Sequence, residues 1–161
     1  MIVVTDTSVV LNLCGVEQER LLPSLFGSVF APSSVMHEFE KLAAVDPRFA
    51  GLTFPTFVEI KIVTQFAPSL VLNQRLQQGE REALALAVEL SADAVLMDER
   101  AGRLVADDLG LKSIGVLGIL VQAKTSGLLP TIKPLLERLQ SRLRFWIAPA
   151  LVQQILRKAS E

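Results

Sequence analysis

Short runs of β-branched and other hydrophobic residues alternate with helix-forming stretches along most of this chain. The runs predict strands at residues 2–4, 28–31, 57–63, 94–97 and 112–114, and helical periodicity follows most of them. Parallel strands need crossover connections, and each crossover helix packs back on the sheet. The alternation therefore predicts an α/β fold, with a mostly parallel sheet that helices cover on both faces.

The length of the chain and its continuous pattern predict a single domain, residues 1–161. This length is enough to bury one substantial core, and the sequence contains no repeat, linker or low-complexity tract. Helical spacing dominates near the end, so residues 130–161 are expected to form a helical C-terminal extension of the same domain. Hydrophobic residues make up 50% of the chain, enough for both faces of a sheet and a partner surface. We therefore expect a homodimer.

The composition excludes several classes of protein and of site. The opening residues have no basic stretch before their few hydrophobic ones, unlike a signal peptide. The longest hydrophobic run, residues 114–121, is far shorter than the roughly 20 residues that cross a membrane. We therefore expect a cytoplasmic protein without membrane contact. One cysteine, Cys14, and one histidine, His37, cannot form an internal disulfide or a zinc cage, so any metal ion must bind mainly to oxygen.

Three carboxylates directly follow predicted strands. Asp6 comes after the first strand, and Asp98 and Glu99 come after the run that ends at residue 97. In a parallel sheet, side chains at this edge reach the cleft in which ligands bind. Each aspartate taken alone is better explained as a helix cap, since an aspartate there accepts hydrogen bonds from free backbone N–H groups.

Two further carboxylates fall on hydrophobic helix faces. On the helix predicted over residues 79–90, Glu80 projects within about 40° of the centre of the hydrophobic face at about 100° per residue. Glu82 points to the side of that helix, and we expect it to be solvated. Glu38 lies between hydrophobic positions of its own helix, although it could be a surface acid like its neighbour Glu40. A buried carboxylate without a partner is costly, so these acids require cations or hydrogen-bond donors.

Together, the acids indicate a divalent cation site. Asp6, Glu38, Glu80 and Asp98 come from four separate elements that a parallel sheet can bring to one cleft. Like charges at close range repel unless a cation neutralises them, and oxygen ligands favour Mg²⁺ or Mn²⁺. Such ions lower the pKa of an attacking water and offset charge on a leaving oxygen. The chemistry implied is phosphodiester hydrolysis.

The charge of the chain is unevenly distributed, although the net charge is only -1. Residues 124–161 carry seven Lys or Arg residues against two acids, whereas the preceding 123 residues carry nine against fifteen. This polarity suits a protein that binds cations at one place and a polyanion at another. We expect Arg138, Arg142 and Arg144 to contact a nucleic acid backbone. The alternative is an ordinary solvated helical face.

Four motifs of the chain resemble those of the PIN-domain family in order and spacing, and the resemblance covers nearly all of the sequence. They are Val-Thr-Asp-Thr-Ser at 4–8, Ala-Pro-Ser-Ser-Val-Met-His-Glu at 31–38, Gln-Gly-Glu-Arg-Glu-Ala-Leu-Ala-Leu-Ala at 78–87, and Val-Leu-Met-Asp-Glu-Arg-Ala-Gly-Arg at 95–103. The resemblance implies a three-layer α/β/α fold with four or five strands. It also implies that the catalytic and metal-binding residues are Asp6, Glu38, Glu80 and Asp98.

The same resemblance implies a function. Residues 115–124 and 133–136 are similar to a prokaryotic PIN-like branch whose members are often encoded beside small partners. The implied activity is metal-dependent hydrolysis of RNA with Mg²⁺ or Mn²⁺. The relatives include VapC-type toxins, which implies a small antitoxin-like partner. Ser8 and Arg103 join the three arginines above as expected substrate-binding residues.

The chain departs from the family pattern at the fourth strand tip. Asp98 and Glu99 are adjacent, and Arg100 stands where relatives often have an acid, so either Asp98 or Glu99 can be the metal ligand there. The alternative function is a catalytically weak or inactive PIN-like module that binds nucleic acid or protein. A third class, the Asp-phosphorylated receivers and phosphatases, also places acids at strand tips. The phosphatases need a second acid at the position of Ser8, which disfavours this class.

Overall fold

Five parallel strands form one sheet at the centre of the molecule, a computed structural model that describes residues 1–71 and 73–161. The sheet order is β3-β2-β1-β4-β5, and every pairing is parallel. The prediction of a mostly parallel sheet of four or five strands is thus confirmed. The strands are β1 (Ile2–Thr5), β2 (Ser28–Pro32), β3 (Val58–Lys61), β4 (Ala94–Leu96) and β5 (Ser113–Ile114).

Helices connect the strands and follow the last of them. They are α1 (Thr7–Gly15), α2 (Leu21–Phe26), α3 (Ser33–Val45), α4 (Pro68–Val71), α5 (Gln78–Glu89), α6 (Arg100–Asp108), α7 (Val116–Thr125), α8 (Lys133–Ser141) and α9 (Pro149–Lys158). The last two helices, α8 and α9, fall within residues 130–161.

Two segments differ from the sequence-based prediction. The sequence predicts a loop or a broken helix over residues 44–57, but α3 continues to Val45 and a short 3₁₀ helix covers Pro47–Phe49. Asp46 separates the two helices because proline disfavours helical backbone in the residue before it, and its carboxylate caps the 3₁₀ helix. The sequence pattern does not predict the short helix α4, and β3 is shorter than predicted.

Each face of the sheet carries its own hydrophobic core. Consecutive residues of β1 point to opposite faces, so Val3 packs in one core and Val4 in the other, both fully buried. The helices α1, α2, α3, α7, α8 and α9 contribute to the core around Val3, and α5 and α6 contribute to the core around Val4. The three-layer α/β/α architecture is therefore confirmed. No helix in the described ranges is long and apolar enough to span a membrane.

The sheet order creates a crevice at the carboxyl end of β1. From β1 the chain first adds strands on one side, β2 and β3, and then crosses to the other side with β4 and β5. Adjacent connections leave the sheet in opposite directions at such a switch point, and ligands commonly bind there. Asp6 follows β1 and Asp98 follows β4, so both acids lie at this crevice.

Candidate active site

Asp6 lies at the switch point and is almost fully buried, with 2% of its surface exposed. Its backbone N–H donates to the Leu96 carbonyl at 3.0 Å, which holds it beside the end of β4. Its carboxylate caps α1 by accepting hydrogen bonds from the Val9 N–H at 2.9 Å and the Ser8 hydroxyl at 3.2 Å. Asp6 is thus a helix cap as well as a candidate ligand.

The surroundings of Asp6 oppose its ionisation. The pKa of Asp6 is raised to about 8, mainly by burial and also by the charges of Asp98 and Glu80, although the hydrogen bonds from Val9 and Ser8 lower it. A carboxylate in this position gains when a cation is bound close to it.

The first of three neighbouring depressions, the acidic cleft, opens beside Asp6. Glu38 enters it from α3, and its Oε2 accepts a hydrogen bond from the Thr7 hydroxyl at 2.9 Å. Gly79 makes the close approach of α5 possible, because a Cβ there would lie 3.0 Å from Glu38 Oε2. The acidic cleft is lined by Asp6, Thr7, Ser8, Glu38, Gln77, Glu80 and Glu99.

The first turn of α5 brings Glu80 into the acidic cleft, as its helical phase predicted. Burial raises the pKa of Glu80 to about 7, and the charges of Glu99 and Glu38 act in the same direction. The expectation that Glu82 is solvated is wrong: its side chain is half-buried, and Oε2 is buried without a hydrogen-bond partner among the described residues. The reason is that α5 packs against α3, α4, α6 and three strands, which leaves its flank little access to water.

Asp98 and Glu99 occupy different positions at the tip of β4. Asp98 Oδ1 accepts a hydrogen bond from the Val116 N–H at 3.1 Å, whereas its buried Oδ2 has no partner in the described parts of the chain. Burial raises the pKa of Asp98 to about 6, although the Val116 hydrogen bond and the charge of Arg103 lower it. Glu99 is exposed and lines the acidic cleft. Gly115 was not singled out from the sequence, yet a Cβ at this position would collide with Asp98 Oδ1.

These carboxylates fit a hard divalent cation in their chemistry. The donors are all oxygen atoms, one of them the unpartnered Asp98 Oδ2, and burial penalises the negative charge of Asp6, Glu80 and Asp98. Within residues 1–71 and 73–161, however, no three histidine, cysteine or acidic side chains form a closed cage as they stand. The carboxylates are therefore neighbours, but their oxygen atoms do not surround a single point.

A second depression, the arginine groove, continues from the acidic cleft. Two exposed or partly exposed cations, Arg48 and Arg144, line it together with Thr7, Ser8, Glu38, Glu99 and Phe145. Arg48 is held in place, because it pairs with Asp46 at 2.7 Å and donates to the Leu143 carbonyl at 3.2 Å. Arg48 was not predicted from the sequence, because it lies in a segment without clear periodicity.

The predicted substrate-binding arginines do not lie together. Arg144 lines the arginine groove, and Arg103 lies near Asp98. Arg138 instead faces Glu17 at 3.9 Å, just beyond the C-terminal end of α1. Because α1 has 9 residues and a rise of about 1.5 Å per residue, that end is far from Asp6. Arg142 is exposed and lines none of the three depressions described here.

The third depression, the aromatic groove, lies on the other side of Asp98. Its lining includes Asp98, Arg103, Gly115, Phe145, Trp146 and Leu151, and its volume is about 480 Å³. Phe145 lines this groove as well as the arginine groove, so the two grooves adjoin at that side chain. Neither Phe145 nor Trp146 was predicted from the sequence.

Comparisons with known proteins agree with this architecture. A PilT N-terminus domain protein from the hyperthermophilic archaeon Sulfolobus solfataricus is similar in structure, with a TM-score of 0.53 over 76% of this chain and 92% of that chain. Its sequence is only 18% identical, so the likeness supports the fold alone. A search of curated proteins finds no match. The family model DUF3368, described as a PIN domain, matches residues 2–161, and the chain therefore belongs to the PIN-domain family.

Proposed function

We propose that this protein is a metal-dependent endoribonuclease that cleaves RNA at the acidic cleft. The PIN domain is generally a nuclease fold and typically uses divalent metal ions. The observation that carries the proposal is the placement of three neighbouring carboxyl groups, the buried Asp6 and the half-buried Glu80 and Asp98, at the switch point of the sheet, where burial raises the pKa of each. Carboxyl groups that burial and mutual repulsion destabilise as anions are typical of functional sites.

Hydrogen bonds from neighbouring residues hold most of these carboxylates in place. Ser8 and Val9 orient Asp6, Thr7 orients Glu38, and Val116 orients Asp98. A bound Mg²⁺ or Mn²⁺ ion supplies a water of lowered pKa and offsets charge on the leaving oxygen. The hydrogen bonds preserve carboxylate positions that mutual repulsion would otherwise spread, and this reduces the reorganisation needed on binding. Arg48 and Arg144 are placed to bind backbone phosphates next to the cleft.

The experiment is a cleavage assay on a labelled, unstructured RNA with added Mn²⁺ or Mg²⁺, with EDTA, and with Mn²⁺ restored in excess. We expect products with either ion, none in EDTA, and recovery after restoration. A single-stranded DNA of the same sequence tests the preference for RNA. Equal cleavage in EDTA would refute metal dependence.

The second candidate is a PIN-like binding module that no longer cleaves. The observation in its favour is the lack of a closed cation cage within the described residues. Calorimetric titration of Mn²⁺ combined with the cleavage assay separates the two functions, because the module binds the ion and RNA without producing fragments. A toxin role and a small antitoxin-like partner are further proposals from the family resemblance, and a homodimer is a further proposal from the hydrophobic composition. Growth arrest on expression tests the toxin role, and rescue of growth by a co-expressed partner tests the partner. The molecular mass in solution tests the homodimer.

We predict that Arg144→Ala lowers the salt dependence of RNA binding, whereas Arg138→Ala does not. A cation that contacts one phosphate of a single strand contributes about 0.7 to the slope of log K against log salt concentration. Arg144 lines the groove beside the acidic cleft, while Arg138 faces Glu17 at a distance from it. The slope is measured by fluorescence anisotropy in EDTA, which prevents cleavage. Equal slopes for the two variants would place the RNA elsewhere.

A further inference from the structure

The most exposed aromatic side chain of this protein lies beside the candidate active site. Trp146 is 82% exposed and is the single tryptophan of the chain. An exposed indole forgoes the free energy that its burial would contribute, and tryptophan is enriched where binding energy is concentrated. Trp146 lines the aromatic groove together with Asp98 and Arg103. An exposed indole thus lies in the same groove as one of the candidate catalytic carboxylates.

The backbone around Trp146 is anchored on both sides. Leu143 and Ile147 are each 3% exposed and belong to the hydrophobic core. The Phe145 N–H donates to the Leu139 carbonyl at 2.9 Å, and Arg144 has a φ of 53°, which few residues with a Cβ adopt. Backbone of this kind persists where the surrounding structure holds it. The exposed indole is therefore presented from a fixed segment.

Arginines flank the carboxylates along both grooves. Arg48 and Arg144 lie on one side of the carboxylates and Arg103 lies on the other, with Phe145 between the arginine groove and the aromatic groove. A strand of nucleic acid across these grooves would place phosphates on the arginines and base faces on the aromatic rings. The volume of the aromatic groove, about 480 Å³, lies within the range of about 300–1,000 Å³ that is usual for small-molecule sites.

We propose that Trp146 and Phe145 form a stacking platform for unpaired bases, which positions a single strand next to Asp98. Base faces are buried in a duplex and accessible in a single strand, so the platform selects unpaired segments. The inference rests on the proposed function, because it assigns the substrate form and its positioning residues at the same site. Phe145 and Trp146 are positioning residues, since neither carries a group that takes part in the hydrolysis.

The test uses the intrinsic fluorescence of the protein, which has one tryptophan and no tyrosine. A short oligouridylate is titrated in EDTA, where no cleavage occurs, and inorganic polyphosphate serves as the control anion. We expect the oligouridylate to quench Trp146 and the polyphosphate to leave its emission unchanged. A duplex of the same length should quench it much less.

Matched variants test the contribution of stacking to affinity, measured by anisotropy of a dye-labelled oligouridylate. Trp146→Leu should weaken binding by about 5- to 150-fold, because stacking on an aromatic ring contributes about 1–3 kcal/mol per base. Trp146→Phe should retain most of the affinity, and Leu128→Ala, which removes an exposed leucine outside the groove, should retain all of it.

Three outcomes would overturn the inference. Binding without quenching would show that the strand does not cross Trp146, and this would leave the proposed nuclease function standing. A change of emission with protein concentration alone, together with a doubled mass, would assign the groove to a second copy of the chain. A complete lack of RNA binding would refute the proposed function, and the inference with it.

Discussion

Asp6→Asn is expected to reduce RNA cleavage by at least about a hundredfold. Even the loss of a group that only hydrogen-bonds to a metal ligand commonly lowers metal affinity or activity by about 10–100-fold. The side chain keeps its shape, and asparagine is as good a helix cap as aspartate. The hydrogen bond from Val9 can therefore persist, and α1 should begin at the same residue. What the variant loses is a negative charge at the centre of the carboxylate cluster. Circular dichroism should show an unchanged secondary structure.

The same variant is expected to be more stable than the parent in EDTA at pH 8. Burial raises the pKa of Asp6 from 3.8 to about 8, so the folded protein holds a proton that the unfolded chain has released. Stability linked to such a group is complete below the unfolded pKa and is lost as pH rises through the folded pKa. The melting temperature of the metal-free parent should therefore fall between about pH 4 and pH 8, and Glu80 and Asp98 act in the same direction.

Thermal unfolding at pH 5 and pH 8, with and without Mn²⁺, measures this effect. The substituted amide has no charge to lose, so the Asp6→Asn variant should show a smaller decrease between the two pH values and a smaller gain from Mn²⁺. Each kcal/mol of recovered stability corresponds to roughly 2–4 °C for a chain of this size. A lower melting temperature than the parent at pH 8 would mean that the Asp6 carboxylate stabilises the metal-free fold.

Asp46 provides a control in which the pH dependence of stability has the opposite sign. The hydrogen bonds and charge of Arg48 lower the pKa of this aspartate. Its contribution to stability is therefore present at neutral pH and is lost as pH falls through the lowered pKa. Asp46→Asn should lower the melting temperature at pH 7 and have less effect in acid.

Local sequence patterns were sufficient to predict the parallel sheet and the positions of most of the carboxylates. Alternation of strands and helices predicted the parallel topology, and topology alone brings the residues after β1 and β4 to one edge. Helical phase placed Glu80 correctly because α5 is regular through its first turn. These predictions need no knowledge of the particular contacts between elements, because they use only rules that hold for all parallel sheets.

Features set by packing between distant elements could not be predicted. The burial of Glu82 depends on which helices cover the flank of α5, and no periodicity of α5 contains that information. The separation of Arg138 from Arg144 depends on where α8 ends and how the chain turns at Arg144. Gly115 is required by the position of Asp98, a residue 17 positions earlier in the sequence.

Glu80 and Glu82, near the start of α5, allow a sharper test of the site, because the same substitution two residues apart should have different effects. Glu80→Gln removes a negative charge from the acidic cleft, where Glu38 and Glu99 also act on it. We expect Mn²⁺ affinity to fall about tenfold or more and cleavage to fall with it, since the site loses both a ligand and charge compensation.

Glu82→Gln is the matched control, and we expect Mn²⁺ affinity and cleavage to remain close to those of the parent. Glu82 does not line the acidic cleft, although its Oε2 is buried without a partner among the described residues. A neutral amide carries a smaller desolvation cost than a carboxylate, so this substitution should preserve or raise the melting temperature. Calorimetric Mn²⁺ titration and the cleavage assay are measured on both variants in parallel. If Glu82→Gln shows the larger loss, the carboxylate that binds the ion from α5 is Glu82, and α5 must rotate when the ion binds.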